Sequence, residues 1–269
     1  MQNLRYFVAC VVMFGWALAC WAETPKTAPE LRKTFDELLP RMGGDAWGPA
    51  RDSQQQWQDI CFQLGAPGNE ALRAEACGLM AAKLGRATPA TTRIWLLRQL
   101  ERLGDSRCVD PVAAALDDGD PAVREAARRA LADIPASEAG GKLRAKLVST
   151  SDSQLKIGLL GALGYRAEAA SVTALARELG NSDPAIVVAA AKALGKIATP
   201  EAAQALSAAR GKATGEPRLW IDDSLLLAAD KLLKAQKKSE AAAIYRDLSK
   251  PDEPRSIRVA ALKGLLQAK

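Results

Sequence analysis

The chain has no histidine in 269 residues. Histidine is the commonest general base and the commonest metal ligand, so its absence removes the Ser-His-Asp arrangement and histidine-based metal sites together. Carboxylate-only or lysine-based catalysis is left, yet no pair of carboxylates stands out from ordinary surface charge. Gly-x-Ser-x-Gly is missing, as are Ser-x-x-Lys in a fitting context, Gly-x-Gly-x-x-Gly and a phosphate loop. No Cys-x-x-Cys occurs, which removes the usual zinc and redox motifs. No cofactor and no catalytic or metal-binding residue is therefore expected. Aromatic residues make up only 5%. A β-sandwich needs aromatic and β-branched residues, whereas Ala and Leu, which dominate here, suit closely packed helices.

Charge says less. Lys and Arg number 37 against 31 Asp and Glu, a net +6 spread along the chain. Such an excess is a weak hint of acidic partners and is otherwise read as solvated helix faces.

The first 22 residues form a separate object. Arg5 supplies a positive start, Tyr6 to Leu18 is a nearly unbroken apolar run, and Cys20-Trp21-Ala22 offers small-x-small residues before Glu23. The run is short for a bilayer span and suits a signal peptide, with cleavage expected after Ala22 and a periplasmic or secreted product. Two alternatives stand beside it. Ala17-Leu18-Ala19-Cys20 resembles a lipid-attachment site with its Leu one place late, and an uncleaved segment would serve as a membrane anchor.

Three cysteines follow: Cys61, Cys77 and Cys108. An odd number cannot all pair internally. Equivalent places on stacked helices stand about 8–10 Å apart, beyond the roughly 7 Å a disulfide spans, which argues against Cys77 with Cys108. Cys61 and Cys77 flank the turn Gly65-Ala66-Pro67-Gly68 with a stagger that a bond would have to absorb. Small buried thiols are the favoured reading.

What the chain has is repetition. Asp120-Pro121-Ala122-Val123 recurs as Asp183-Pro184-Ala185-Ile186, and the two segments stay in step through Ala126/Ala189, Ala130/Ala193 and Leu131/Leu194. A third copy begins at Asp152. Helices of a first kind (A) are expected near Ser106, Ser137, Ala167, Pro200 and Lys238, with inward Val112, Leu143, Leu175 and Leu206 and a second row of Leu116, Leu147 and Leu179. Helices of a second kind (B) are expected from Asp120, Asp152, Asp183, Glu216 and Glu253. An acidic residue there accepts hydrogen bonds from the open first-turn N–H groups, and a following Pro needs no donor. Gly104, Gly180 and Gly211 are expected at helix ends in left-handed geometry. Gly158, Gly161, Gly164 and Gly195 lie within the helical patterns, where close helix packing would offset their poor propensity. A period near 31 marks stacked helical hairpins. Upstream, Ala28 to Arg41 reads as an amphipathic helix, residues up to Asp52 as a linker, and Ser53 as the start of the next helix. The expected division is 1–22 signal, 23–52 N-terminal helix and linker, and 53–269 a solenoid of about six hairpins.

Leu116 to Leu131, with its turn Asp, Val-Arg and Ala-Ala-x-x-Ala-Leu, resembles the HEAT repeat in its bacterial form. Asp183 to Ile197 and Asp152 to Leu163 match it, and Glu253 to Leu265 fits more loosely. Lys238 to Leu248 also resembles a tetratricopeptide helix. The likeness extends to exported HEAT-repeat proteins of bacteria. It implies an all-α fold, an α-solenoid with a right-handed superhelix of HEAT-like αα-hairpins. It also implies a ladder between repeats, Asp118 or Asp120 with Arg124 and Asp152 with Lys156, which Val187 interrupts.

The same likeness puts the B helices on an inner face. Arg98, Arg124, Arg128, Arg129, Lys156 and Lys192 are the candidate partner-binding residues there, for an acidic peptide or protein, or an anionic glycan. Nucleic acid is disfavoured by export and by the lack of aromatics between the basic residues. Glu101, Glu125 and Asp133 share these helices, so a mixed solvated face is the competing reading. The expected role is a non-catalytic interaction scaffold of the bacterial cell envelope. The alternative is a lyase- or glycosylase-type enzyme using Trp220, Asp222 and Asp223, in which a carboxylate would steady a cationic transition state. The last helix, with Ile257, Val259, Leu262, Leu265 and Leu266, is apolar for a terminal repeat. It is expected to dock a partner, a second copy or a further domain.

Overall fold

A computed structural model describes residues 25–43 and 48–268. The expected signal segment, residues 1–22, lies outside them. Among the described residues there is no strand, and no helix is long and apolar enough to cross a membrane. The chain divides into two compact units, the first ending at Leu79 and the second beginning at Met80.

The first unit contains α1 (Ala28–Leu38), α2 (Pro49–Leu64) and most of α3 (Glu70–Ala81). Leu31, Phe35 and Leu38 recur at helical spacing and are buried. Phe35 lies against Trp57 with ring centroids 4.7 Å apart, and Gln54 donates to the carbonyl of Met42 at 2.8 Å. The segment expected to be linker up to Asp52 is partly helical, because α2 starts four residues before Ser53. Pro49 has no N–H to leave unpaired at the first helical position, and Gly48 takes φ +100°, which an L-residue resists.

The second unit alternates A and B helices. The B helices are α4 (Ala90–Leu103), α6 (Pro121–Asp133), α8 (Ser153–Arg166), α10 (Pro184–Ile197) and α12 (Gly215–Lys234). Each packs on the next B helix in turn. The A helices α5 (Val109–Ala114), α7 (Ser137–Ser149), α9 (Val172–Glu178) and α11 (Pro200–Arg210) form the second layer. A last hairpin, α13 (Lys238–Leu248) and α14 (Arg255–Gln267), follows α12. This is an α-solenoid of stacked hairpins. Val112, Leu143, Leu175 and Leu206 are all fully buried between the layers, each worth about 1.5–3 kcal/mol of transfer free energy. In the second row Leu116 and Leu147 are buried, while Leu179 is half-exposed.

Helix starts follow local chemistry where the cap is aspartate. Asp120 accepts from Ala122 N at 2.8 Å, Asp152 from Gln154 N and Leu155 N at 3.0 and 3.1 Å, and Asp183 from Ala185 N at 2.9 Å. The two glutamates do otherwise. Thr214 is the N-cap of α12 and Pro254 that of α14. Glu253 is instead drawn into an ion cluster with Arg210 and Arg218. The left-handed residues also differ from expectation. Besides Gly48, Gly68 and Gly215, those among the described residues are Ala167 and Ala198, the C-caps of α8 and α10, and Gln236 beyond the end of α12, while Gly104 has φ −57° and Gly211 φ −66°. Ala167 thus ends α8 rather than opening the next A helix, which begins with a 3-10 turn at Ala169–Ser171. Gly104 serves close approach, since a Cβ there would stand 2.8 Å from Ile134 Cγ1.

Candidate functional site

One position of the B helix recurs as Arg93, Arg124, Lys156, Val187 and Arg218. Four of the five are cations, and each reaches toward a turn between an A and a B helix. The Arg93 guanidinium and the Asp118 carboxylate are 7% and 6% exposed and lie 3.0 Å apart; Arg93 also donates to the carbonyl of Thr88 at 2.5 Å. Arg124 Nη1 donates to the carbonyls of Asp118 and Gly119 at 3.0 and 3.3 Å, and Nη2 stands 3.9 Å from Asp152 Oδ2. Lys156 Nζ lies 3.1 Å from Glu178, which also accepts from Asn181 at 2.9 Å. Arg218 donates to Glu253 and Asp222 at 3.2 Å and to the carbonyl of Arg210 at 3.2 Å.

The ladder exists, but its partners are not those the resemblance implied. The Asp118 carboxylate serves Arg93 of the preceding B helix, and Arg124 donates instead to the carbonyls of Asp118 and Gly119, with Asp152 at 3.9 Å. Asp120 and Asp152 spend an oxygen capping their own helices, so Lys156 turns to Glu178 instead of Asp152. Val187, 7% exposed, is the missing rung.

The remaining candidate residues divide by environment. Arg128 is half-buried, donating to Glu125 at 2.7 Å and to the carbonyl of Gly158 at 3.4 Å. Arg129 pairs with Glu101 at 2.8 Å, and that hydrogen bond raises its pKa above the ordinary arginine value. Arg98 is exposed on α4. Lys192 holds its ammonium 3.4 Å from the centroid of the Trp220 ring, a cation–π contact. Tyr165 is exposed beside Asp133, whose hydrogen bond raises the phenol's pKa. The structure therefore brings Arg98, Arg129 and Lys192 onto open helix surface. Arg124, Arg128 and Lys156 are tied into the stacking of the repeats.

Two open clefts lie in this region. One, of about 600 Å³, runs over the B helices, floored by Ile157, Gly161, Val188 and Ala189 and rimmed by Asp183, Lys192, Lys196 and Glu216. The other, of about 880 Å³, opens at the turns, lined by Leu179, Val187, Ala205, Ala208, Lys212 and Glu216 among others. Sequence reasoning missed these linings. The repeat pattern singles out neither Ile157 nor Val188, which are half-buried. The signals for the second cleft were Val187 in a row of cations and the run of alanines in α11.

The acidic constellation proposed for catalysis is not assembled. Asp222 is fully buried and bound by Arg210 and Arg218, whereas Asp223 is exposed. Burial works against the charge of Arg210, yet its hydrogen bonds to Asp222 and Glu253 outweigh that and its pKa is raised. Trp220 donates to Glu216 at 3.2 Å. No metal-holding group of carboxylates and cysteines occurs among the described residues, and Cys61, Cys77 and Cys108 are all buried.

A family model described as HEAT repeats matches residues 78–153 and 142–225. Among curated proteins none matches the chain. Solved structures with similar architecture include an engineered protein (20% identical, TM-score 0.43, covering 90% of this chain and 71% of that one). The complex of CpcE and CpcF of phycocyanin lyase from Nostoc sp. PCC7120 is 17% identical, with a TM-score of 0.41 and coverage of 92% and 97%. An archaeal HEAT-like repeats protein from Thermococcus onnurineus NA1 is 16% identical, with a TM-score of 0.41 and coverage of 91% and 97%. At TM-scores below 0.5 these likenesses carry no weight for function.

Proposed function

Because the chain belongs to the HEAT-repeat family, we propose that it is a non-catalytic scaffold that holds another protein along the B-helix face of its second unit. The observation that carries this reading is the cleft floored by Ile157, Val188 and Ala189. Apolar side chains left half-exposed on a helix face gain free energy when a partner covers them, about 25 cal/mol per Å² of apolar surface removed from water. Lys192 and Lys196 share the rim with Asp183 and Glu216, which suits a segment that combines aliphatic residues with charges of both signs. The first 22 residues, read as a signal peptide, put this scaffold in a bacterial cell envelope, with the membrane involved only through a retained or lipidated segment.

The catalytic alternative has lost its carboxylate. Asp222 is fully buried, held by two arginines inside the helix layers, and lines neither cleft.

The test is capture of partners from the envelope by the wild-type chain, Ile157→Asp, Lys192→Glu and, as a control on the exposed face of the A helix α7, Val148→Ser. A protein retained by the wild type and the control, and lost with both cleft variants, supports the reading. Equal retention by all four rejects this face.

A further inference from the structure

We propose that the cleft at Val187 receives an arginine side chain from a partner protein, which supplies from outside the rung this chain leaves out. The other four positions define what such a cleft holds. Arg93, Arg124 and Arg218 each combine backbone carbonyls with a carboxylate of a neighbouring turn, and Lys156 meets Glu178. At the fifth position the valine stops short, and a cleft of about 880 Å³ lies open where the guanidinium would be.

The cleft keeps the acidic half of the pair. Glu216 lines it, is exposed, and makes no ion pair among the described residues; its carboxylate accepts only from the Trp220 indole. Leu179, the one member of its row that is not buried, lines the same space with Val187, Ala205 and Ala208. These offer apolar surface to the three methylenes of an arginine stem, with the charged head at Glu216. Lys212 also lines the cleft and is exposed without an ion pair among the described residues. It weakens the field of Glu216 without neutralising it by contact. Arginine fits better than lysine because its planar fork can meet a carboxylate and backbone carbonyls at once, as Arg218 does.

This goes beyond the B-helix face: Glu216 borders both clefts, and otherwise the two readings share only a protein partner. The test uses the full chain and two synthetic peptides, acetyl-Ala-Ala-Arg-Ala-Ala-amide and its citrulline counterpart, which keeps the shape and lacks the charge. Titration followed by backbone amide shifts is expected to show perturbation around Val187, Ala213 and Glu216 with the arginine peptide, bound about tenfold more tightly than the citrulline peptide. Glu216→Gln, an exposed change that leaves the fold intact, is expected to abolish that difference. Val187→Arg is expected to close the cleft to the peptide, and Lys212→Ala to tighten binding. Ile157→Asp, in the other cleft, leaves peptide binding unchanged even if it abolishes partner capture, so the two proposals fail separately. Equal affinity for both peptides, no binding of either, or wild-type binding by Glu216→Gln would overturn the proposal.

Discussion

Gly195 and Ser224 pack so closely that a Cβ on the glycine would stand 2.9 Å from the serine's Cβ and from its carbonyl oxygen. Thirty-one residues earlier the same relation holds between Gly164 and Ala193, where the added Cβ would meet Ala193 Cα at 2.7 Å. Backbone is the obstacle in both places, so neither site can relax by moving a side chain. Alanine would gain up to about 1 kcal/mol of helix propensity and lose about 1–3 kcal/mol to overpacking, more where backbone must shift. Gly195→Ala is therefore expected to lower stability. Gly161, on the same helix as Gly164, faces open space, and Gly161→Ala is expected to raise stability by up to about 1 kcal/mol. Urea denaturation of the two variants checks both signs.

The rungs differ in worth. Arg93 and Asp118 are desolvated together, so Arg93→Ala leaves a buried carboxylate uncompensated and is expected to cost about 3–5 kcal/mol. Arg129 and Glu101 are closer still, at 2.8 Å, but the arginine is half in water, and Arg129→Ala is expected to cost about 1 kcal/mol or less. Denaturation in low and high salt separates them: only the Arg129 effect shrinks as salt rises.

Tyr245 gives a pH dependence. Its ring lies under Gly264 and its hydroxyl donates to Asp230. Burial first, and then that carboxylate, raise its pKa well above the usual value near 10. The folded state thus holds the phenol proton more tightly than the unfolded chain does. The stabilisation is fully present below pH 10 and is lost as pH rises through the folded-state value. Chemical denaturation between pH 8 and 11 is expected to show a decline in stability above pH 10 that is shallower in Tyr245→Phe. Identical slopes would remove Tyr245 as its source.

How much of this was legible in the sequence depends on the range of each interaction. The inward rows from Val112 to Leu206 repeat with the chain and were read directly, as were the caps Asp120, Asp152 and Asp183, whose partners lie two or three residues away. Glu216 and Glu253 carry the same local signal. Glu253, though, answers to Arg210 and Arg218, 43 and 35 residues away in sequence, which no local pattern reports. The glycines misled for a related reason. Gly104 marks a close contact with Ile134 and leaves φ ordinary, while alanine takes the left-handed caps at 167 and 198. The basic residues were identifiable as off-core positions. Which of them stay in solvent was not, because Arg128 and Lys156 find acceptors one repeat onward.

The most direct measurement of the scaffold claim is site-specific photo-crosslinking in the envelope, with a photoreactive phenylalanine analogue at position 188, on the floor of the B-helix cleft, and at position 148, exposed on the A helix α7. The account predicts a discrete cross-linked partner from position 188 and none from position 148. The same partner from both positions, or from 148 alone, would contradict it.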